Sequence, residues 1–235
     1  MRRGFDLKLK DREIESLLDQ IEDNYLETAT LTGRMLPNEQ VMQALREVPR
    51  HLFVPTEQLA NAYLNQPLPI GHGQTISQPY IVALMTDLIQ PNDDAVVLEV
   101  GTGSGYQAAI LGQLVKQVYS VEIIDKLAAQ ARERLYRLGY LNIEVMAGNG
   151  HFGWPEHAPY DAILVTAAAE RIPAALINQL KPGGRLVIPI GGYLGGQSLM
   201  LVSKDARGLI DTRNVLPVMF VPLVAEPASV GRGES

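Results

Sequence analysis

From residue 95 onward, apolar positions fall in short unbroken runs that alternate with segments of helical period. The runs at 95–100, 118–123, 143–147, 160–166 and 185–190 predict strands buried on both faces, as in a parallel sheet covered by helices. The segments 105–115, 125–138 and 173–180 predict the helices between them. Two further runs, 199–203 and 215–223, have no helical segment between them and predict an antiparallel hairpin at the sheet edge. Lys181-Pro182-Gly183-Gly184 predicts a turn before the fifth strand, and residues 225–235, with Pro, Gly, Ser and charge, predict a disordered tail.

The first ninety residues read differently. Asp11 can cap a helix over 11–25 whose apolar face is Ile14, Leu17, Leu18 and Ile21. Residues 28–37, with Gly33, read as a loop. Asn38 can cap a second helix carrying Val41, Leu45 and Val48 and stopped by Pro49. Residues 64–75 are rich in Pro, Gly and Asn and read as an ordered loop. Ser77 can cap a third helix with Pro79 in its first turn and Ile81, Leu84, Met85 and Leu88 turned inward. The chain therefore divides into an N-terminal helical extension with a loop (1–90), an α/β core (91–224) and a tail, in one compact domain.

Composition narrows the chemistry. The chain has 235 residues, 46% of them hydrophobic, enough for one large core. The net charge of −6 lacks the basic excess of a nucleic-acid binder, so no nucleic-acid partner is expected. There is no cysteine, which removes disulfides, thiolate metal sites and a cysteine nucleophile. Residues 4–15 are mostly charged and contain no apolar signal-peptide region, and no window approaches a membrane span, so a cytoplasmic protein without a membrane partner is expected. The four histidines, His51, His72, His151 and His157, show no ligand spacing, and no metal is expected.

The most informative stretch is Leu98-Glu99-Val100-Gly101-Thr102-Gly103-Ser104-Gly105. Glycine at every second position after a strand lets the backbone turn tightly and a ligand approach closely. The spacing G-x-G-x-G differs from the G-x-G-x-x-G of pyrophosphate binders, whose third glycine would stand where this chain has Tyr106, and it suggests a loop around a nucleoside without phosphates. Glu122 ends the second sheet strand about twenty residues on, where a carboxylate can accept from both ribose hydroxyls; the glycine turn upstream favours this reading over a surface carboxylate at a strand end. Asn149 of Gly148-Asn149-Gly150 could accept from an adenine amino group, or the tripeptide could be an ordinary turn. Thr166 and the alanines after it leave room for a substrate or for close helix packing. Gly73-Gln74-Thr75-Ile76-Ser77-Gln78-Pro79 combines a helix start with hydroxyls that could cradle an anion. Trp154 is expected as a packing anchor.

These residues resemble a known family. Pro69-Ile70-Gly71-His72-Gly73-Gln74-Thr75-Ile76-Ser77-Gln78-Pro79 is similar to the signature loop of the protein-L-isoaspartate O-methyltransferases. So are Val97-Leu98-Glu99-Val100-Gly101-Thr102-Gly103-Ser104-Gly105-Tyr106-Gln107, Ala158-Pro159-Tyr160-Asp161-Ala162-Ile163-Leu164-Val165-Thr166-Ala167-Ala168-Ala169, Leu180-Lys181-Pro182-Gly183-Gly184-Arg185-Leu186 and Phe220-Val221-Pro222-Leu223. The resemblance spans residues 35–224. It implies a Rossmann-like, seven-stranded, mostly parallel sheet with an antiparallel edge hairpin and extra N-terminal helices. It also implies S-adenosyl-L-methionine as methyl donor, S-adenosyl-L-homocysteine as product, and isoaspartyl or D-aspartyl residues of damaged proteins and peptides as acceptors, whose methyl esters close to a succinimide. By the same resemblance Ser77 is the catalytic serine, with Thr75, Ile76, His72 and Val221 on the substrate. Glu99, Gly101, Thr102, Gly103, Ser104, Gly105, Glu122, Asn149, Gly150 and Thr166 are expected on the cofactor. The family usually has Gly-Asp-Gly at 148–150; a neutral Asn149 makes a weaker acceptor than a carboxylate. The resemblance leaves roughly the first thirty residues unexplained.

Overall fold

The computed structural model describes residues 2–192 and 195–225, with side chains from residue 10. Seven strands form one sheet: β3 (Val96–Val100), β4 (Gln117–Glu122), β5 (Ile143–Ala147), β6 (Tyr160–Val165), β7 (Leu180–Gly192), β8 (Gly196–Lys204) and β9 (Ile210–Val218). Their order is β5-β4-β3-β6-β7-β8-β9. The first five pair in parallel, and β8 and β9 add antiparallel at one edge, as the two late apolar runs predict, although β9 covers 210–218 rather than the expected 215–223 because its first half is an exposed edge strand without an apolar run. The crossovers α4 (Tyr106–Gly112) and α5 (Asp125–Arg137) lead the chain from β3 outward to β5. It then returns to β6 on the other side of β3 and continues through α6 (Ala174–Gln179) to β7. The direction of winding reverses between β3 and β6, and the carboxyl ends of those strands flank the crevice where open α/β sheets bind ligands.

The parallel strands are apolar on both faces because both are covered. Within β3, Val97 packs into a cluster with α4 and three N-terminal helices, α1 (Arg2–Thr32), α2 (Glu39–Glu47) and α3 (Pro79–Leu88), while Leu98 and Val100 point to the opposite cluster with Leu176, Leu180 and Leu186. Trp154 belongs to the second cluster and meets Tyr119 edge to face at 5.4 Å, the packing anchor expected of it.

The N-terminal region departs from the sequence expectations in three places. The first helix, α1, runs over Arg2–Thr32, so Asp11 is interior to it and the expected loop over 28–37 starts only after residue 32. It ends where Gly33, at φ +72, takes the left-handed conformation and donates to the Ala29 carbonyl at 2.8 Å. Leu17, Leu18, Ile21 and Tyr25 on its inward face are buried in the main cluster.

Residues 64–75 are more than a loop. They contain a two-stranded hairpin, β1 (Leu68–Gly71) and β2 (Gln74–Ile76). His72 (φ +54) and Gly73 (φ +69) form its tip, two successive left-handed residues as a tight hairpin turn requires.

Ser77 does not cap the third helix. That helix, α3, spans Pro79–Leu88 with Gln78 at the N-cap position and no capping side chain of its own, and all ten of its residues are buried. Helix α2 (Glu39–Glu47) conforms to expectation, with Asn38 Oδ1 accepting from the amides of Gln40 and Val41. The sequence 181–184 also lies within β7 rather than before it, at an irregularity in the pairing with β6. Of the expected tail, residues 226–235 lie outside the described residues.

Candidate active site at the carboxyl edge of the sheet

The glycine turn leaves β3 and doubles back into α4. Gly101 sits at φ +100, and a Cβ there would lie 2.3 Å from Thr166 Oγ1. Both the conformation and the space therefore demand glycine. Thr166, at the end of β6, donates its hydroxyl to the Gly101 carbonyl at 2.6 Å and so binds the two strand ends together. Gly105 (φ +88) occupies the N-cap position of α4.

Behind the turn lies a chain of hydroxyls and carboxyls. Thr102 Oγ1 and Ser120 Oγ are 2.6 Å apart, and Ser120 donates to Glu99 Oε2. Glu99 is fully buried, and its other oxygen has no hydrogen-bond partner. Burial pushes its pKa up to about 8, with the nearby Glu122 adding to the rise and the Ser120 hydrogen bond opposing it. Glu122 ends β4 with Oε2 accepting from the Gly103 amide at 2.7 Å and Oε1 from the Ile124 amide at 3.0 Å. Two backbone donors fix its carboxylate against the turn and leave lone pairs free for further donors.

The loop after β2 closes the other side. Thr75, Ile76 and Ser77 line a narrow cleft of about 30 Å³ together with Gly101, Thr102, Gly103, Ser104 and Thr166. This cleft joins two motifs that lie some twenty-five residues apart in the chain. It adjoins a larger groove of about 540 Å³ that shares Thr75, Ser77 and Thr166 and adds Asn24, Tyr80 and the segment 216–221, including Val221.

The Ser77 hydroxyl is spared from capping because another residue does that work: Asn65 Oδ1 accepts from the Tyr80 amide at 3.0 Å. Asn65 is held in turn by donating to Asn24 Oδ1 on α1 at 2.7 Å, and its carbonyl accepts from the Gln78 side chain at 3.1 Å. The Ser77 carbonyl accepts from Arg50 at 2.8 Å. Asn24, Arg50 and Asn65 were not among the expected site residues. For Arg50 a signal existed, a lone cation between Val48 and Phe53 where the neighbouring pattern is apolar.

Other expected residues stand apart from the cleft. His72 is exposed at the hairpin tip and lines neither cavity. Asn149 uses Oδ1 to cap the short turn over Gly150–Phe152, accepting from the His151 amide at 2.9 Å, and Nδ2 to donate to the Ala225 carbonyl at 2.8 Å. Gly150 is buried, and a Cβ there would lie 2.3 Å from Val100 Cγ1. Segment 220–225 crosses the strand ends: Ala168 donates to the Val221 carbonyl, and Leu223 donates to that of Ala168.

The turn offers close backbone approach at Gly101 and Gly103, Glu122 offers a fixed acceptor, and the cleft offers the Ser77 hydroxyl, which meets no hydrogen-bond partner among the described residues.

Comparison with known proteins gives the same direction. A family model described as Protein-L-isoaspartate(D-aspartate) O-methyltransferase matches residues 23–228. A Polaromonas sp. (strain JS666 / ATCC BAA-500) protein named Protein-L-isoaspartate O-methyltransferase 2 is 58% identical over 210 residues, covering 89% of this chain and 100% of the relative. A Syntrophobacter fumaroxidans protein of the same name is 56% identical over 207 residues, covering 88% and 84%. A solved protein-L-isoaspartate O-methyltransferase superposes with a TM-score of 0.79 at 28% identity, over 91% of this chain and 67% of its own. The fold is shared with a Plasmodium falciparum beta-aspartate methyltransferase solved in complex with S-adenosyl-L-homocysteine, at a TM-score of 0.72 and 24% identity over 90% and 98% of the two chains.

Proposed function

The chain belongs to the protein-L-isoaspartate(D-aspartate) O-methyltransferase family, and on that premise we propose how its residues divide the work. It is a protein-repair enzyme that moves a methyl group from S-adenosyl-L-methionine to the free carboxylate of L-isoaspartyl and D-aspartyl residues in damaged proteins and peptides. Residues 91–224 form the donor side and residues 1–90 bring the acceptor loop. We place the enzyme in the cytoplasm with aged proteins, rather than nucleic acid, as partners, in keeping with the net charge of −6. Among the described residues no helix is long and apolar enough to cross a membrane.

The observation that carries the assignment of roles is the single cleft shared by residues 75–77 and the glycine turn. When bound, the donor supplies a methyl group on a positively charged sulfur, and an ionised carboxylate accepts it in a displacement that consumes both charges. The acceptor needs no base, since a carboxyl group is ionised near neutral pH. The protein's part is then to bind, aim and dry the reactants. Glu122, fixed by the Gly103 and Ile124 amides, would take the ribose hydroxyls. Gly101, Gly103 and Ser104 would let the methionine portion lie against the backbone. Ser77 would donate its hydroxyl to the acceptor carboxylate, and Ile76, buried beside it, would exclude water. Val221 and its neighbours would form the apolar wall along which the peptide lies.

The test is methyl transfer to an isoaspartyl peptide and to its aspartyl twin. The first should be methylated and the second not; methylation of both, or of neither, would overturn the assignment. Ser77→Ala should slow single-turnover transfer by about 10- to 100-fold, the worth of a hydrogen bond to a charged group. Its affinity for S-adenosyl-L-homocysteine by calorimetry should stay unchanged.

A further inference from the structure

Arg50 is completely buried, the largest of the fully buried side chains, and no carboxylate pairs with it among the described residues. It sits on a single turn of 3-10 helix, Arg50–Phe53, just after Pro49 ends α2. Its Nε donates to the Ala62 carbonyl at 3.0 Å, and its Nη2 donates to the Ser77 carbonyl at 2.8 Å and to that of Gln66 at 3.4 Å. Its Cζ lies 4.8 Å from the centre of the Tyr106 ring. Tyr106 is the first residue of α4, immediately behind the glycine turn.

One guanidinium therefore fastens the acceptor loop to the start of the donor-side helix. A buried cation without a counter-ion is a costly way to fill space, and an apolar side chain of similar volume would pack there without that cost. What an apolar residue could not do is hold three carbonyls from two separate stretches of chain, 62–66 and Ser77, against an aromatic face. A lysine could not do it either, since a single ammonium presents a point charge rather than a planar fork.

We propose that Arg50 is a positioning residue for methyl transfer: it fixes the backbone at Ser77 so that the hydroxyl stands at the mouth of the cleft shared with the glycine turn. The proposal rests on the role given above to Ser77. Arg50 touches neither reactant, and its effect is exerted through Ser77 and through the seating of α4.

The test is a double-mutant cycle on the full chain, read by single-turnover methyl transfer to an isoaspartyl peptide. Arg50→Lys should slow transfer by about tenfold in the otherwise unchanged protein, because a small misplacement at the reacting centre is expensive. In the Ser77→Ala background the same change should cost less than about threefold, since the group being aimed is already missing. Affinity for S-adenosyl-L-homocysteine and the thermal midpoint separate this from a general loss of structure; the affinity should hold in both backgrounds. Equal costs in the two backgrounds, or a loss of affinity matching the loss of rate, would show that Arg50 only packs.

Should Arg50→Lys fail to fold, Tyr106→Leu removes the aromatic plate and leaves the guanidinium's hydrogen bonds to the three backbone carbonyls in place. It should show the same non-additivity with Ser77→Ala, and simple additivity would overturn the proposal. If the unchanged protein does not methylate the isoaspartyl peptide, the reading of Ser77 falls and this inference falls with it. Methylation by the unchanged protein with full activity in the Arg50 variants would reject this inference alone.

Discussion

Glu99 carries one of the least ordinary ionisation states in the molecule. One oxygen accepts from Ser120, the other meets no donor, and burial holds the group protonated up to about pH 8. In the unfolded chain it ionises near 4.5. Between those values the folded state binds the extra proton, so Glu99's contribution to stability is complete below the lower value and is lost as pH rises through the upper one. Urea titrations of the ligand-free protein should show stability falling across that window with a slope of up to about 1.4 kcal/mol per pH unit, and Glu99→Gln should flatten it. Its importance was legible in the sequence, as the acid beside the glycines. Its surroundings were not: the family resemblance sets it among the residues of the cofactor turn, and the fold shows it buried behind that turn, supporting Thr102 through Ser120. A motif gives residue identity and spacing; which side of a strand end faces the crevice depends on the pleat and on what packs behind it.

At the scale of elements, the sequence was most readable where local chemistry decides the structure. Asn38 followed by an amphipathic run is a helix start that needs no tertiary help, and it forms as the pattern says. The start of α3 went the other way. Ser77 before Pro79 has the look of a cap, yet the acceptor for the Tyr80 amide comes from Asn65, fifteen residues upstream. Such a cap exists only after the chain has folded back on itself. The same holds for β1 and β2, whose strands of four and three residues carry too few side chains to show an alternation. The division of labour at α3 can be measured. Asn65→Ala should lower the unfolding free energy in urea by about 1–2 kcal/mol, the usual cost of a lost cap. Ser77→Ala should leave it within about 0.5 kcal/mol, as befits a residue that no helix depends on.

For the molecule as a whole, the sheet and its winding were legible because continuous apolar strands alternating with helical segments admit few topologies. The reach of α1 was not, since its own amphipathic signal fades toward both ends. Its buried face explains why it stays: Leu17, Leu18, Ile21 and Tyr25 pack into the cluster that includes α3, and Tyr25 reaches Asp87, which Arg34 also holds at 2.9 Å. Each such side chain is worth about 1.5–3 kcal/mol, so together they rival the net stability of a typical domain. A chain begun at Gly33 should therefore show no cooperative transition by scanning calorimetry; a sharp endotherm near that of the full chain would contradict this. The opposite terminus has a practical bearing. Because Asn149 grips the carbonyl of Ala225, the segment 220–225 is moored to the loop beyond β5. A truncation that removes Ala225 takes this anchor away, and a donor affinity measured on such a protein would belong to the trimming and not to the enzyme.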